Sequence, residues 1–254
     1  MKDYFKYRYL TNIEFNLSEK THLSIIGNSS TFFINTFLEY NKECNIFIGD
    51  NELLSDNLKT IYRSLGIVLY KNLNTFVAET LMDEVAFGLE GLAYTKDDMQ
   101  EEILTNARMF KLDRLLSKDP YSLGSSDKAK AKILCALITK PKVLLLDNVI
   151  SELDYNDKVL VIKILNEYKK NGGIIINVTS DIEDTLYSDR IIIIQDKKLV
   201  CDGKTLSVLN EEKLLKRLGL GLPFMIELNK YFMDYGMINK YYLSNDKLVG
   251  ALWK

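Results

Sequence analysis

The chain has 254 residues, 47% hydrophobic and 27% charged, with a net charge of −2 and an isoelectric point near 5.7. Such a composition fits one large globular domain, or one domain with an appendage. With no excess of positive charge and no basic stripe interleaved with aromatics, it argues against a nucleic-acid partner.

The opening MKDYFKYRYL has no apolar signal-peptide core. Residues 1–20 read as two short strands, FKYRY and NIEFNL, with near-alternating apolar positions. His22 is the only histidine; it excludes a His-rich metal site, disfavours a His-based triad and is expected to be an ordinary surface or edge residue. THLSIIG predicts a buried strand, and GNSSTFFINT carries the chain through a glycine-led loop into a helix from Phe32 to Tyr40. CNIFIGD predicts a strand, and NLKTIYRSL leads into another, GIVLY.

From Thr80 to Lys118 the apolar period turns helical, through TLMDEVAFGLEGL and DDMQEEILTNARMFKLDRLL. SLGSSDKAKAKILCALITK reads as a polar loop and a helix that Pro141 ends, with KAKAK as a solvated face. KVLLLD predicts a buried strand, and DYNDKVLVIKILNEYKKNGG a helix closed by Gly172 and Gly173. IIINVTS and RIIIIQ predict strands, the latter turning at DKK into LVCDG.

Strands and helices alternating in this way, with the strands as continuous apolar runs, predict an α/β fold with a parallel sheet covered on both faces. The segment from about 74 to 140 lacks strand patterns and predicts a helical subdomain; from Thr205 the chain is helical again. These boundaries divide it into 1–204 and a helical extension, 205–254. In the extension, Phe224, Leu228, Tyr231 and Tyr235 share one helix face, suited either to packing on the parent domain or to a dimer contact. Cys44, Cys135 and Cys201 lie far apart without C-x-x-C spacing and read as free thiols of a reducing compartment. No apolar run approaches the about 18–20 residues needed to cross a bilayer. The chain is therefore expected in the cytoplasm, with docking on a membrane protein left open.

A strand, a Gly-led loop and a helix start form the setting of a phosphate-binding loop, G-x-x-x-x-G-K-[ST]. Gly27 is in place, but Phe32, Phe33 and Ile34 stand at the second Gly, the Lys and the Ser/Thr positions. Shifting the register by one residue brings in Asn35 and Thr36 but no lysine.

Three stretches carry a family resemblance: DEVAFGLEGL (Asp83 to Leu92), PKVLLLDN with SELD (Ser151 to Asp154), and GLGLPFMIELNKYF ending in YYLSNDKLVGAL. Their order resembles the nucleotide-binding domain of an ABC transporter, and more narrowly the ATPase subunits of energy-coupling-factor (ECF) importers of vitamins and transition-metal ions. The resemblance implies a P-loop NTPase core with antiparallel N-terminal strands, an inserted helical subdomain and a helical C-terminal extension. It also implies head-to-tail pairing with a second ABC ATPase subunit, identical or different, and docking on a membrane coupling subunit. The family cofactor is ATP with Mg²⁺, held between the Walker motifs of one subunit and the signature of the other.

Carried onto this chain, the phosphate loop comprises Gly27, Asn28, Ser29, Ser30 and Thr31, with Phe33 in place of the lysine. Two readings stay open: a loop closed by its own side chains and capped by Ser30 or Thr31, or residual nucleotide binding. Tyr9 matches the adenine-stacking aromatic, although packing on a strand face also accounts for it. Tyr70 stands at the Gln that senses metal and water, and Ser180 at the switch histidine. The signature LSGGQ reads Leu123, Gly124, Ser125, Ser126, Asp127, where Asp127 suits a plain helix cap and would repel a γ-phosphate. Asp147 is the Mg²⁺ position, Asn148 replaces the Glu general base, and Asp154 closes the D-loop.

These departures, on a scaffold whose fold-determining runs match the family, predict a pseudo-ATPase: a non-catalytic ECF-type subunit on the cytoplasmic face of the membrane. A weakly active ATPase and a soluble regulatory module derived from one are the alternatives.

Overall fold

The computed structural model describes residues 3–9, 13–28, 30–38, 44–52, 63–72, 74–90 and 94–253. In β1 (Asp3–Tyr9) and β2 (Ile13–Ser18) buried and exposed positions alternate, as expected of a sheet with one dry face. These strands join β4 (Cys44–Ile48) and β5 (Asn51–Glu52) in an antiparallel sheet of order β2-β1-β4-β5.

The second sheet has the order β10-β9-β3-β8-β7-β6. β3 (His22–Ile26), β7 (Val143–Asp147) and β8 (Ile174–Val178) are buried at every position, because layers cover both faces. β6 (Leu65–Leu69) and β9 (Arg190–Gln195) run parallel to them. β10 (Lys198–Lys204) returns antiparallel through a turn in which Asp196 and Lys197 take φ of 51° and 57°.

α1 (Ser30–Leu38) lies between the two sheets. Its Phe33, Ile34 and Phe37 share an apolar cluster with Tyr7 and Phe15 below and Ile25 above. The other face of the six-stranded sheet carries two separate clusters. One packs α2 (Leu81–Phe87), α3 (Lys96–Met109), α4 (Ser125–Ile138) and α5 (Tyr155–Lys170) against Leu144, Leu146 and Ile175. The other packs α6 (Thr205–Leu209), α7 (Glu212–Arg217) and α8 (Phe224–Asp234) against Ile26, Ile191 and Ile193. α9 (Asn245–Leu252) follows. Among the described residues no helix is long and apolar enough to cross a membrane.

The α/β class and the order of elements follow the sequence expectation. Three details differ. α1 begins at Ser30, ahead of the expected Phe32, because the turn after Gly27 closes at once through the Ser30 N–H on the Gly27 carbonyl at 3.2 Å. His22 is not a surface or edge residue: it is buried on a central strand, and its N–H donates to the Asp189 carboxylate at 2.9 Å. On the face of Phe224, Leu228, Tyr231 and Tyr235, Leu228 is half-buried and the three aromatic rings stand away from the parent domain. Those three rings are exposed, and α8 is anchored by Met225, Ile226 and Asn229.

Candidate nucleotide site

β3 delivers Gly27 with φ of +126°, where an L side chain is strained, and a Cβ there would collide with the Ile194 carbonyl oxygen. The close passage of β9 therefore demands glycine whether or not a ligand binds. Asn28 faces the β9–β10 turn. Its amide Nδ2 donates to the Asp196 carboxylate at 2.9 Å, its Oδ1 accepts from the Asp196 N–H at 2.9 Å, and its own N–H donates to Gln195 Oε1 at 3.3 Å. A phosphate cradle needs consecutive N–H groups free to converge on an anion; those of Asn28 and Ser30 already have acceptors in the chain. Ser30 is buried. Ser29 and the side chain of Thr31 lie outside the described residues.

Phe33 is 0% exposed. Its ring centroid lies 4.7 Å from Tyr7, 5.1 Å from Phe37 and 5.9 Å from Phe15, within the range of favourable aromatic pairing. Thr36 donates its hydroxyl to the Phe33 carbonyl at 2.6 Å. Tyr9 is buried on β1 with its ring edge-on to Phe32 at 4.7 Å, and the Lys197 ammonium stands 5.2 Å from the Phe32 ring. The chain's own aromatics thus pack beside the residue implied as an adenine platform.

The ends of β7 and β8 bring Asp147, Asn148 and Ser180 into one row. The Asn148 amide donates to the Asp147 carboxylate at 3.0 Å, and its Oδ1 accepts from the N–H and the hydroxyl of Ser180 at 2.8 and 2.9 Å. The Asn148 backbone takes φ of +51°, a conformation that asparagine tolerates better than most side chains. Burial raises the Asp147 carboxyl above its ordinary range, against a partial offset from Asn148 and Lys71. Tyr70 follows β6 and is exposed; with Ser125 and Lys128 it borders a cleft of about 190 Å³.

At the head of α4 the residue expected to cap the helix does something else. The N-cap is Gly124, with no side-chain bond, and Asp127 pairs with Lys130 at 2.9 Å. Lys130 is buried and also reaches Asp157 at 3.0 Å. Burial alone would lower its pKa, but the two carboxylates raise it overall and hold the charge. The Ser126 hydroxyl donates to Asp157 at 2.7 Å and accepts from the Asp154 N–H at 3.3 Å, while Asp154 caps α5 on the Asp157 N–H at 3.0 Å. Signature-like and D-loop-like segments are thus joined within one chain. KAKAK is accordingly not a solvated face: Lys130 sits between two carboxylates, Lys132 pairs with Glu84 at 2.8 Å, and Lys128, half-buried, donates to the Asn74 side chain at 3.1 Å. Leu123 is buried behind this segment. Among the described residues no group of three or more His, Cys, Asp or Glu could hold a metal ion.

The sequence profile described as ABC transporter matches residues 10–151, more than half of the chain. The chain belongs to the ABC transporter family. It is similar to an energy-coupling factor transporter ATP-binding protein, EcfA1, of Mycoplasmopsis synoviae, with 26% identity over 87% of this chain and 86% of the relative. It is also similar to the corresponding EcfA of Pediococcus pentosaceus, with 28% identity over 90% of this chain and 84% of the relative. Its fold matches the structure of cbiO1 from Clostridium perfringens, described as part of the ABC transporter complex cbiONQ, with a TM-score of 0.73, 22% identity and coverage of 90% and 100%. A bacterial ABC transporter cassette solved as a dimer, MJ0796, matches with a TM-score of 0.71, 21% identity and coverage of 79% and 98%.

In this ABC chain Asp83 to Phe87 of the DEVAFGLEGL stretch belong to α2, and Glu84, Phe87 and Gly88 line a separate groove of about 520 Å³. Thr80 caps α2 on the Asp83 N–H. Glu84 accepts from the N–H groups of Val77 and Ala78 at 2.9 and 3.2 Å, and from Lys132. The Lys132 ammonium also lies 4.1 Å from the Phe76 ring centroid. Burial pushes the Glu84 carboxyl up, but Lys132 and the two N–H groups outweigh it and leave the pKa below its ordinary value. Phe87 stands exposed at the rim. Sequence reasoning missed Lys130, Asp157, Glu84 and Lys132 as structural ions. The D-x-x-D spacing of Asp154 and Asp157, and the i,i+3 spacing of Asp127 and Lys130, were the available signals.

Proposed function

We propose that this chain is a non-catalytic subunit of an ECF-type importer of vitamins or metal ions. It docks peripherally on a membrane coupling subunit at the cytoplasmic face and pairs with a second ABC ATPase subunit. The role follows that named for its relatives, EcfA1 and EcfA. The loss of catalysis rests above all on Phe33, a fully buried ring where the family resemblance implies the phosphate-binding lysine.

The residues present do not fit a nucleotide triphosphate with its metal. Phe33 holds the place of the lysine, the N–H groups of Asn28 and Ser30 are taken by Gln195 and Gly27, and Asp147 is held by the Asn148 amide. An amide accepts no proton at neutral pH, and absence of a positioned general base costs about 10²–10⁴ in rate. A nucleotide held by a partner would meet a signature whose Ser126 and Asp127 are already bonded inside this chain. We assign no hydrolytic step to this chain. The groove beside α2 is the docking surface for the coupling subunit, and a separate membrane subunit selects the solute.

Calorimetry of the purified chain with Mg²⁺ and ATP up to millimolar concentration tests the catalytic half: no heat and no shift in melting temperature are expected. Micromolar binding would overturn it and recast the chain as a nucleotide sensor or slow ATPase. Co-purification with the membrane subunits, and its loss in Phe87→Asp, tests the docking half independently.

A further inference from the structure

The sheet face that carries α2 to α8 is not continuously apolar. Its two apolar clusters are separate, and the central strands β3 and β8 place a polar strip between them. His22 and Ser24, at alternate positions of β3, project to this face; Asn177 projects beside Ser24, its register partner on β8. His22 is 1% exposed, and Ser24 and Asn177 are 0% exposed.

Among the described residues the Ser24 hydroxyl, both polar atoms of the Asn177 side chain and Nε2 of His22 have no partner. A strip of this kind is costly if left dry, because groups that water satisfies in the unfolded chain would lose those bonds on folding. The hydrogen-bonding inventory is complementary to solvent. Burial holds the imidazole neutral, with its pKa down at about 4, and its other nitrogen faces the Tyr187 carbonyl, which leaves Nε2 an acceptor. Ser24 can donate and accept; Asn177 offers two donor hydrogens and one acceptor oxygen. A water molecule, with two of each, can donate to Nε2 and to the Asn177 oxygen while accepting from Ser24 or the Asn177 amide. Buried waters typically make about three such bonds.

We propose that His22, Ser24 and Asn177 form a buried hydration site that holds ordered water in the seam between the main core and the C-terminal extension. The apolar cluster that holds the α6 to α8 layer on the sheet therefore ends, on the side of the main core, at a wet strip. Asn177→Leu removes the central ligand.

A crystal structure at a resolution that shows ordered solvent tests the proposal. The expected result is a density peak within hydrogen-bonding distance of at least two of the three side chains, absent in Asn177→Leu. A direct Ser24–Asn177 hydrogen bond with no solvent peak would overturn it. If the variant does not fold, nuclear magnetic resonance of the ¹⁵N-labelled wild-type chain serves instead. Cross-relaxation from long-lived water to the Asn177 side-chain amide is expected, and its absence overturns the site.

Discussion

The turn after β3 and the groove beside α2 make opposite use of similar materials. At the turn, Asn28 is bound to Asp196, Phe33 is sealed among Tyr7, Phe15 and Phe37, and Lys197 lies over Phe32. Asn28, Asp196 and Phe33 are all engaged by groups of the same chain. At the groove, an aromatic ring, a lysine and a carboxylate are again in contact, but Glu84 and Lys132 brace the segment under Phe76 and leave about 520 Å³ open. The lesson is that interactions alone do not make a site: they can fill a cavity or prop one open, and only the second leaves room for a partner.

The contrast breaks most readily at Phe33. Phe33→Ala should cost about 3–5 kcal/mol by chemical denaturation, since it empties the centre of an aromatic cluster, whereas Phe87→Ala at the groove rim should stay within about 0.5 kcal/mol. Equal losses would mean that the turn is not the filled region. Next comes the brace. Glu84→Gln should cost about 1–3 kcal/mol by leaving the half-buried Lys132 without its carboxylate, with faster hydrogen exchange at the Val77 and Ala78 amides. Unchanged exchange would show that the groove stands without the pair.

Acid should separate the two regions in time. His22 has a folded pKa of about 4 against about 6.5 unfolded, so the unfolded chain takes up the proton first. Stability therefore falls as pH drops, by about 2 kcal/mol between about pH 7 and pH 5. As the only histidine is involved, His22→Asn should flatten that slope. Glu84, with its pKa depressed, contributes stability that is complete above about 4.3, the unfolded value, and is lost only as pH falls through the lower folded value. The strand that feeds the turn should thus respond to acid before the groove brace does. The smallest effect is expected from Asn148→Glu: about 1 kcal/mol from the lost bonds to Ser180, and no phosphate release above background. Measurable turnover would show that the row at β7 and β8 lacked only a base.

How much of this was legible depended on range. Buried runs such as VLLLD and IIINV declare themselves because both faces of the strand are covered, and a continuous apolar run has few other uses. Asn28 and Asp196 are 168 residues apart, and no local pattern couples them. KAKAK looked solvated because three lysines on a helix usually are; Asp157 and Glu84, which draw two of them inward, come from other elements. His22 was misplaced for a similar reason, since its neighbours along the chain say nothing about the polar strip that β8 completes. The position of Phe33 was readable; that its ring locks against β1 and β2 required the fold.

That lock has a consequence for any attempt to build a phosphate-binding lysine into the turn. A lysine introduced at position 33 would put a cation into a space that Tyr7, Phe15 and Phe37 have closed, and each of those rings would need to be replaced before the charge could reach solvent. Removing any one of those rings alone is expected to destabilise the chain. The aromatic cluster would therefore work as a ratchet: single substitutions that make room for a cation at position 33 are each expected to run uphill in stability.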